Sequence, residues 1–150
     1  MRFKNKIIIL DSNLEINTKS NLVNSSNKRN IIIFTMSKNK SKINKLKNLN
    51  CKIINIKGSR CGYFNMKSIL KQTYKLGVCN ILIEAGGKLF TDMFNKNIID
   101  ELHLFISSKK IGITGIPMYL TSNIFPLKKL NSSLITKKFI KKDLYYHFNL

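Results

Sequence analysis

Short apolar blocks separated by lysine- and asparagine-rich stretches set the plan of this chain. Ile7, Ile8 and Ile9 form a pure β-branched run that predicts a strand over residues 6–11. Ile31, Ile32 and Ile33 repeat the pattern and predict a second strand over 31–35. Between them, residues 12–30 are crowded with Asn and Ser turn formers and read as loop. Ile43, Leu46 and Leu49 then recur at helical spacing behind Ser41, the expected N-cap. Residues 51–56 predict a third short strand and 58–62 a loop. Asn65 reads as the N-cap of a helix with Met66, Ile69, Leu70, Tyr74 and Leu76 on its apolar face, stopped by Gly77.

The second half changes rhythm. Residues 81–83 are apolar and lead into Glu84, which predicts a buried strand ending in a carboxylate. Gly86 and Gly87 follow, and Leu89, Phe90, Met93 and Phe94 mark a helix to about Asn95. Asp100 and Glu101 read as a turn feeding an alternating strand over 102–106. Beyond a loop at Pro126, residues 133–140 and 144–148 alternate as an antiparallel hairpin around Lys141, Lys142 and Asp143. The order predicts an α/β domain, a mixed sheet flanked by helices with a C-terminal antiparallel hairpin. With no internal repeat or linker, residues 1–150 read as one domain.

Chemistry concentrates at residues 80–89. A strand that delivers Glu84 and turns through two glycines into a helix offers bare N–H groups and a positive dipole end to a phosphorylated ligand. The same glycines also serve an ordinary tight strand-to-helix connection, and Glu84 also serves as a carboxylate capping the next helix. His103 alternates with Leu102 and Leu104 and reads as a surface strand histidine. No Ser/His/Asp or Cys/His constellation can be assembled from the sequence.

The order of these segments resembles the reductase domain of riboflavin biosynthesis, the C-terminal half of the bifunctional deaminase–reductase RibD. That family carries a strand ending in Glu-(Gly/Ala)-Gly, a helix, a (Val/Ile)-Asp-Glu-Leu strand start and a Gly-containing loop. Here these are Ile83-Glu84-Ala85-Gly86-Gly87, Ile99-Asp100-Glu101-Leu102, and Ile111-Gly112 with Gly115-Ile116-Pro117. Leu10-Asp11-Ser12 and Phe34-Thr35 match two earlier strand ends, so the likeness runs from about residue 6 to the C-terminus. It implies a dihydrofolate-reductase-like fold and NADPH-dependent reduction of 5-amino-6-(5-phosphoribosylamino)uracil. By the same resemblance Glu84 contacts the substrate, Gly86, Gly87, Lys88 and Leu89 meet the NADPH pyrophosphate, and Ser12 lies at the cofactor's adenosine end. Partners implied are a pyrimidine ribosyl phosphate, a second copy of the chain, and an upstream deaminase domain or chain. The family's domain normally begins with a strand, a long helix and a Gly-rich loop upstream of its Leu-Asp-Ser strand. With Met1 so close to that strand, the expectation is an N-terminally truncated domain with an incomplete pocket.

Composition adjusts this picture at its edges. The 27 Lys and Arg against 7 Asp and Glu, a net +20, raise the question of a polyanion partner. Arginine, whose bidentate fork recognises phosphate and bases, is confined to Arg2, Arg29 and Arg60, and the lysines are spread along the chain. Nucleic acid is therefore expected only as a nonspecific partner, and a basic nucleic-acid module is the third reading. The second is a non-catalytic subunit that pairs with a fuller reductase or deaminase chain. Cys51, Cys61 and Cys79, an odd count without a close pair, predict free thiols rather than a disulfide framework or structural zinc, and no metal ligand is singled out. No apolar run approaches the roughly 20 residues of a membrane span, and residues 7–10 are too short for a signal-peptide core. The expected compartment is the cytoplasm.

Overall fold

The computed structural model describes residues 5–58, 63–109, 111, 112, 115–120, 125 and 127–150. They fall into two compact units, residues 1–80 and 81–150.

In the first unit, β1 (Lys6–Leu10), β2 (Asn30–Thr35) and β3 (Lys52–Asn55) form a parallel sheet in the order β1-β2-β3. Ile7 pairs with Ile31, and Ile33 with Ile53. The central position of β2 explains its sequence: residues 31–35 are all buried, so both faces of the strand are apolar. Ile31 and Ile33 pack in one core with Leu14, Val23, Leu46 and Cys51.

Two local expectations held and two changed. The Asn65 side chain accepts from Ser68 N at 3.2 Å at the start of α3 (Met66–Lys75), and Gly77 takes the left-handed φ of 73° that ends it. Helix α2 (Lys40–Asn48) is capped by Asn39, whose side chain accepts from Lys42 N at 3.0 Å, and Ser41 lies inside its first turn. A cap must reach an N–H two or three residues ahead, and Asn39 does so two positions earlier than the expected Ser41. The expected loop over 12–30 contains a short helix, α1 (Asn21–Asn24), capped by Ser20 and anchored by the fully buried Val23. Arg60, Cys61 and most of the expected loop at 58–62 lie outside the described residues, as does Pro126. Cys51 is a buried free thiol and Cys79 an exposed one.

The second unit pairs α4 (Gly87–Asn95) with an antiparallel sheet of β4 (Glu101–Ile106), β5 (Leu134–Ile140) and β6 (Asp143–Asn149), in the order β4-β6-β5. The C-terminal hairpin is as expected, with Lys141 at φ 56° in its turn. Phe90 of α4 packs with Leu102, Leu104, Tyr146 and Phe148, and Phe94, Tyr119 and Phe125 extend that core as an aromatic cluster. Leu102 and Leu104 face this core, so the alternate residues Glu101, His103 and Phe105 occupy the opposite face.

The α/β class stands, with the parallel and antiparallel pairings divided between two three-stranded sheets. The strand expected over 81–84 is corrected: these residues join neither sheet, and Ile81, Leu82 and Ile83 are 40, 83 and 38% exposed. An apolar run becomes a strand only when a neighbour completes its hydrogen-bond ladder, which the run itself cannot supply. Glu101, expected in a turn, is the first residue of β4; the adjoining Asp100 carbonyl accepts from Leu150 N at 2.8 Å. No helix among the described residues is long and apolar enough to cross a membrane.

Candidate functional site

The two glycines before α4 do different things. Gly86 is the N-cap, with extended backbone (φ −73°, ψ 168°) and no side chain to cap the helix. The first-turn N–H groups therefore carry the positive end of the helix dipole without a capping oxygen from that position, and no acidic residue lies in the first turn. A Cβ built on Gly86 would meet nothing within 4 Å, so the space beside this residue is open. Gly87, by contrast, is packed: its missing Cβ would collide with the carbonyl oxygen of Pro117 and lie 3.2 Å from that of Met118. Its role is close backbone approach between the helix and the loop that follows β4. Thr91 Oγ1 of α4 tightens the same contact by accepting from Leu120 N at 2.9 Å.

Glu84 is exposed two residues before the N-cap, Lys88 is exposed in the first turn, and Leu89 is half-buried. Glu84, Gly86, Gly87, Lys88 and Leu89 thus share one short segment of the second unit. The uncapped turn fits a phosphate group: Gly86 leaves room, the N–H groups supply donors, and Lys88 adds a cation. An open groove of about 570 Å³ also lies in this unit, lined by Leu104, Phe105, Ile106, Met118, Phe125 and Leu127, with Ser107 and Lys109 among its polar members. The segment 84–89 is not part of its described lining. The groove is apolar and open, and the glycine turn is the stronger candidate on chemical grounds.

Ser12 belongs to the first unit, just beyond β1. Its carbonyl accepts from Met36 N at 3.0 Å and from Thr35 Oγ1 at 3.2 Å. Sequence reasoning passed over its neighbour Asp11, whose carboxylate organises the loop. Asp11 Oδ1 accepts from Glu15 N and Oδ2 from Ile16 N, both at 2.8 Å. An Asp followed by a polar loop is the available signal for such an Asx-type motif. Between those contacts Leu14 is buried at φ 60°, a left-handed conformation held by its surroundings.

The fold is of the α/β, dihydrofolate-reductase-like class. A RibD structure from Acinetobacter baumannii superposes with a TM-score of 0.72, at 14% identity over 95% of this chain and 36% of that one. A pyrimidine reductase-like protein from Corynebacterium diphtheriae gives 0.73, at 16% identity over 96% of this chain and 60% of that one. The diaminohydroxyphosphoribosylaminopyrimidine deaminase/5-amino-6-(5-phosphoribosylamino)uracil reductase of Thermotoga maritima gives 0.68, at 19% identity over 96% and 37%. The chain belongs to the RibD C-terminal domain family, whose family model matches residues 4–140. The riboflavin biosynthesis protein RibD of Aquifex aeolicus (strain VF5) is 30% identical over 105 residues, which span 70% of this chain and 28% of that protein.

Proposed function

We propose that this chain is the reductase domain of riboflavin biosynthesis, acting with NADPH on 5-amino-6-(5-phosphoribosylamino)uracil. The observation that carries the reading is the N-terminus of α4 at Gly86, which has no side-chain cap and open space at the Cβ position, two residues after Glu84. In this reading the N–H groups of residues 87–89 and the Lys88 ammonium hold the NADPH pyrophosphate, while Gly87 keeps the loop at Pro117 against the helix. Glu84 accepts hydrogen bonds from substrate and so orients the ribosylamino carbon. When bound, NADPH supplies hydride to the anomeric carbon of the ring-opened imine, and a proton completes the ribitylamino nitrogen. The chain's own residues then act by positioning, which suits a segment with one carboxylate and no acid–base constellation.

The same reading includes assembly as a homodimer, an upstream deaminase domain or chain as partner, and a cytoplasmic location. Family membership and the deaminase named in the Thermotoga protein support that partner. Calorimetric titration of the purified chain with NADPH, with ATP as polyanion control at near-physiological salt, tests the cofactor site. Selective NADPH binding is expected. Equal, salt-sensitive binding of both ligands would mean that the net charge, rather than the glycine turn, attracts them.

A further inference from the structure

The face of β4 turned away from the core brings together the chain's two histidines and one carboxylate. Glu101 and His103 are two residues apart on β4 and share that face, and the antiparallel register sets His147 of β6 directly opposite His103. The two imidazoles stack face to face, with centroids 4.4 Å apart at an interplanar angle of 16°. Glu101 Oε2 lies 3.0 Å from His147 Nε2 and 3.6 Å from His103 Nε2.

We propose that Glu101, His103 and His147 form a site for a borderline divalent transition metal of the zinc class. Three observations carry it. First, one ligand atom from each of the three residues can be chosen so that all lie within 4.8 Å of one another. Donors bonded to zinc at about 2.0–2.1 Å in a tetrahedron stand about 3.3–3.4 Å apart, and the two carboxylate–imidazole distances bracket that spacing. Second, two imidazole nitrogens and a carboxylate oxygen are the donor set such ions prefer, and three protein ligands leave a fourth position for water or a small anion. Third, His103 already has an outer partner: its Nδ1 lies 2.8 Å from the Tyr145 hydroxyl. That contact leaves Nε2 as the nitrogen turned toward Glu101, the second-shell arrangement by which proteins fix a ligating imidazole.

The site is reachable from solvent, since the side chains of Glu101, His103 and His147 are 59, 42 and 21% exposed. The ligands sit on two paired strands, so a metal there would cross-link β4 to β6. Neither histidine takes part in the reductase reading, and the proposal stands independently of it. Sequence alone hid the cluster because Glu101 and His147 are 46 positions apart and only the strand register joins them.

The test is titration of the untagged, metal-free chain with zinc alone, followed by calorimetry and by the imidazole nitrogen resonances of its two histidines. One zinc per chain is expected, with the Nε2 resonances of both rings shifting together. His147→Gln and Glu101→Gln should each weaken binding about tenfold or more, and Tyr145→Phe, which removes only the outer partner, about tenfold. The melting temperature of the wild-type chain should rise with zinc, and that of the His103→Gln/His147→Gln double variant should not. No zinc binding, a shift of one ring only, or undiminished binding in the double variant would overturn the proposal.

Discussion

Gly87 meets the carbonyl oxygen of Pro117 so closely that the position has no room for a Cβ. One turn of a helix and one loop thereby meet backbone to backbone at this point, and the space beside the neighbouring Gly86 is open. The pair divides between them the two readings that a glycine doublet invites. Gly87→Ala is expected to destabilise the fold by about 1–3 kcal/mol, through forced separation of α4 from the loop. Urea denaturation followed by circular dichroism checks it. An unchanged midpoint would mean that the loop yields freely.

At Gly86 a single substitution should move stability and ligand affinity in opposite directions. Asp at the N-cap supplies the missing capping oxygen and complements the helix dipole, so Gly86→Asp is expected to raise stability by about 0.3–1 kcal/mol. The same carboxylate would repel the cofactor's phosphates and weaken NADPH binding. A variant that is both stabilised and undiminished in affinity would remove this turn from the cofactor site.

Asp11 is expected to matter to the fold although it lies in a loop. Its carboxylate accepts two backbone N–H groups and sits at the base of the segment that holds Leu14 in the left-handed region. Asp11→Ala leaves those two donors without their acceptor and should cost about 1–3 kcal/mol. Thermal unfolding would show it as a lowered midpoint, and an unaltered midpoint would contradict the role.

The cysteines should separate by reactivity. Burial pushes the Cys51 thiol above its ordinary value of 9.0, whereas Cys79 is exposed. In a Cys61→Ser background, Cys79 should react promptly with a thiol reagent at neutral pH and Cys51 only on unfolding. The sign of the pH effect follows from the same shift. Above about pH 9 the unfolded chain loses the Cys51 proton more readily than the folded chain, so this group's contribution to stability falls as pH rises. A Cys51→Ala variant should lack that loss.

What could be read from the sequence follows the range of the interactions involved. Asn65 and Gly77 were legible because a cap and a left-handed stop are decided within a few residues. The three parallel strands were legible because their β-branched runs are buried in the sheet they predict. Residues 81–84 were misread because their apolar character says that they seek burial, and not where a partner strand lies. Of the candidate site, the Gly86–Gly87 turn was visible as a motif, but which glycine is packed and which is open depends on Pro117, thirty residues later in the chain. Glu101 looked like a turn residue for a similar reason, since its neighbours His103 and His147 come together only through the register of β4 on β6.

In the proposed function the first turn of α4 holds the cofactor. The most direct measurement is a map of backbone amide shifts in the nitrogen-15-labelled chain as NADPH is added. Saturable shifts centred on Gly86, Gly87, Lys88 and Leu89 are the expected result. Small shifts scattered over exposed lysines and abolished by moderate salt would contradict it, and would leave a reductase-family fold whose glycine turn does not bind NADPH.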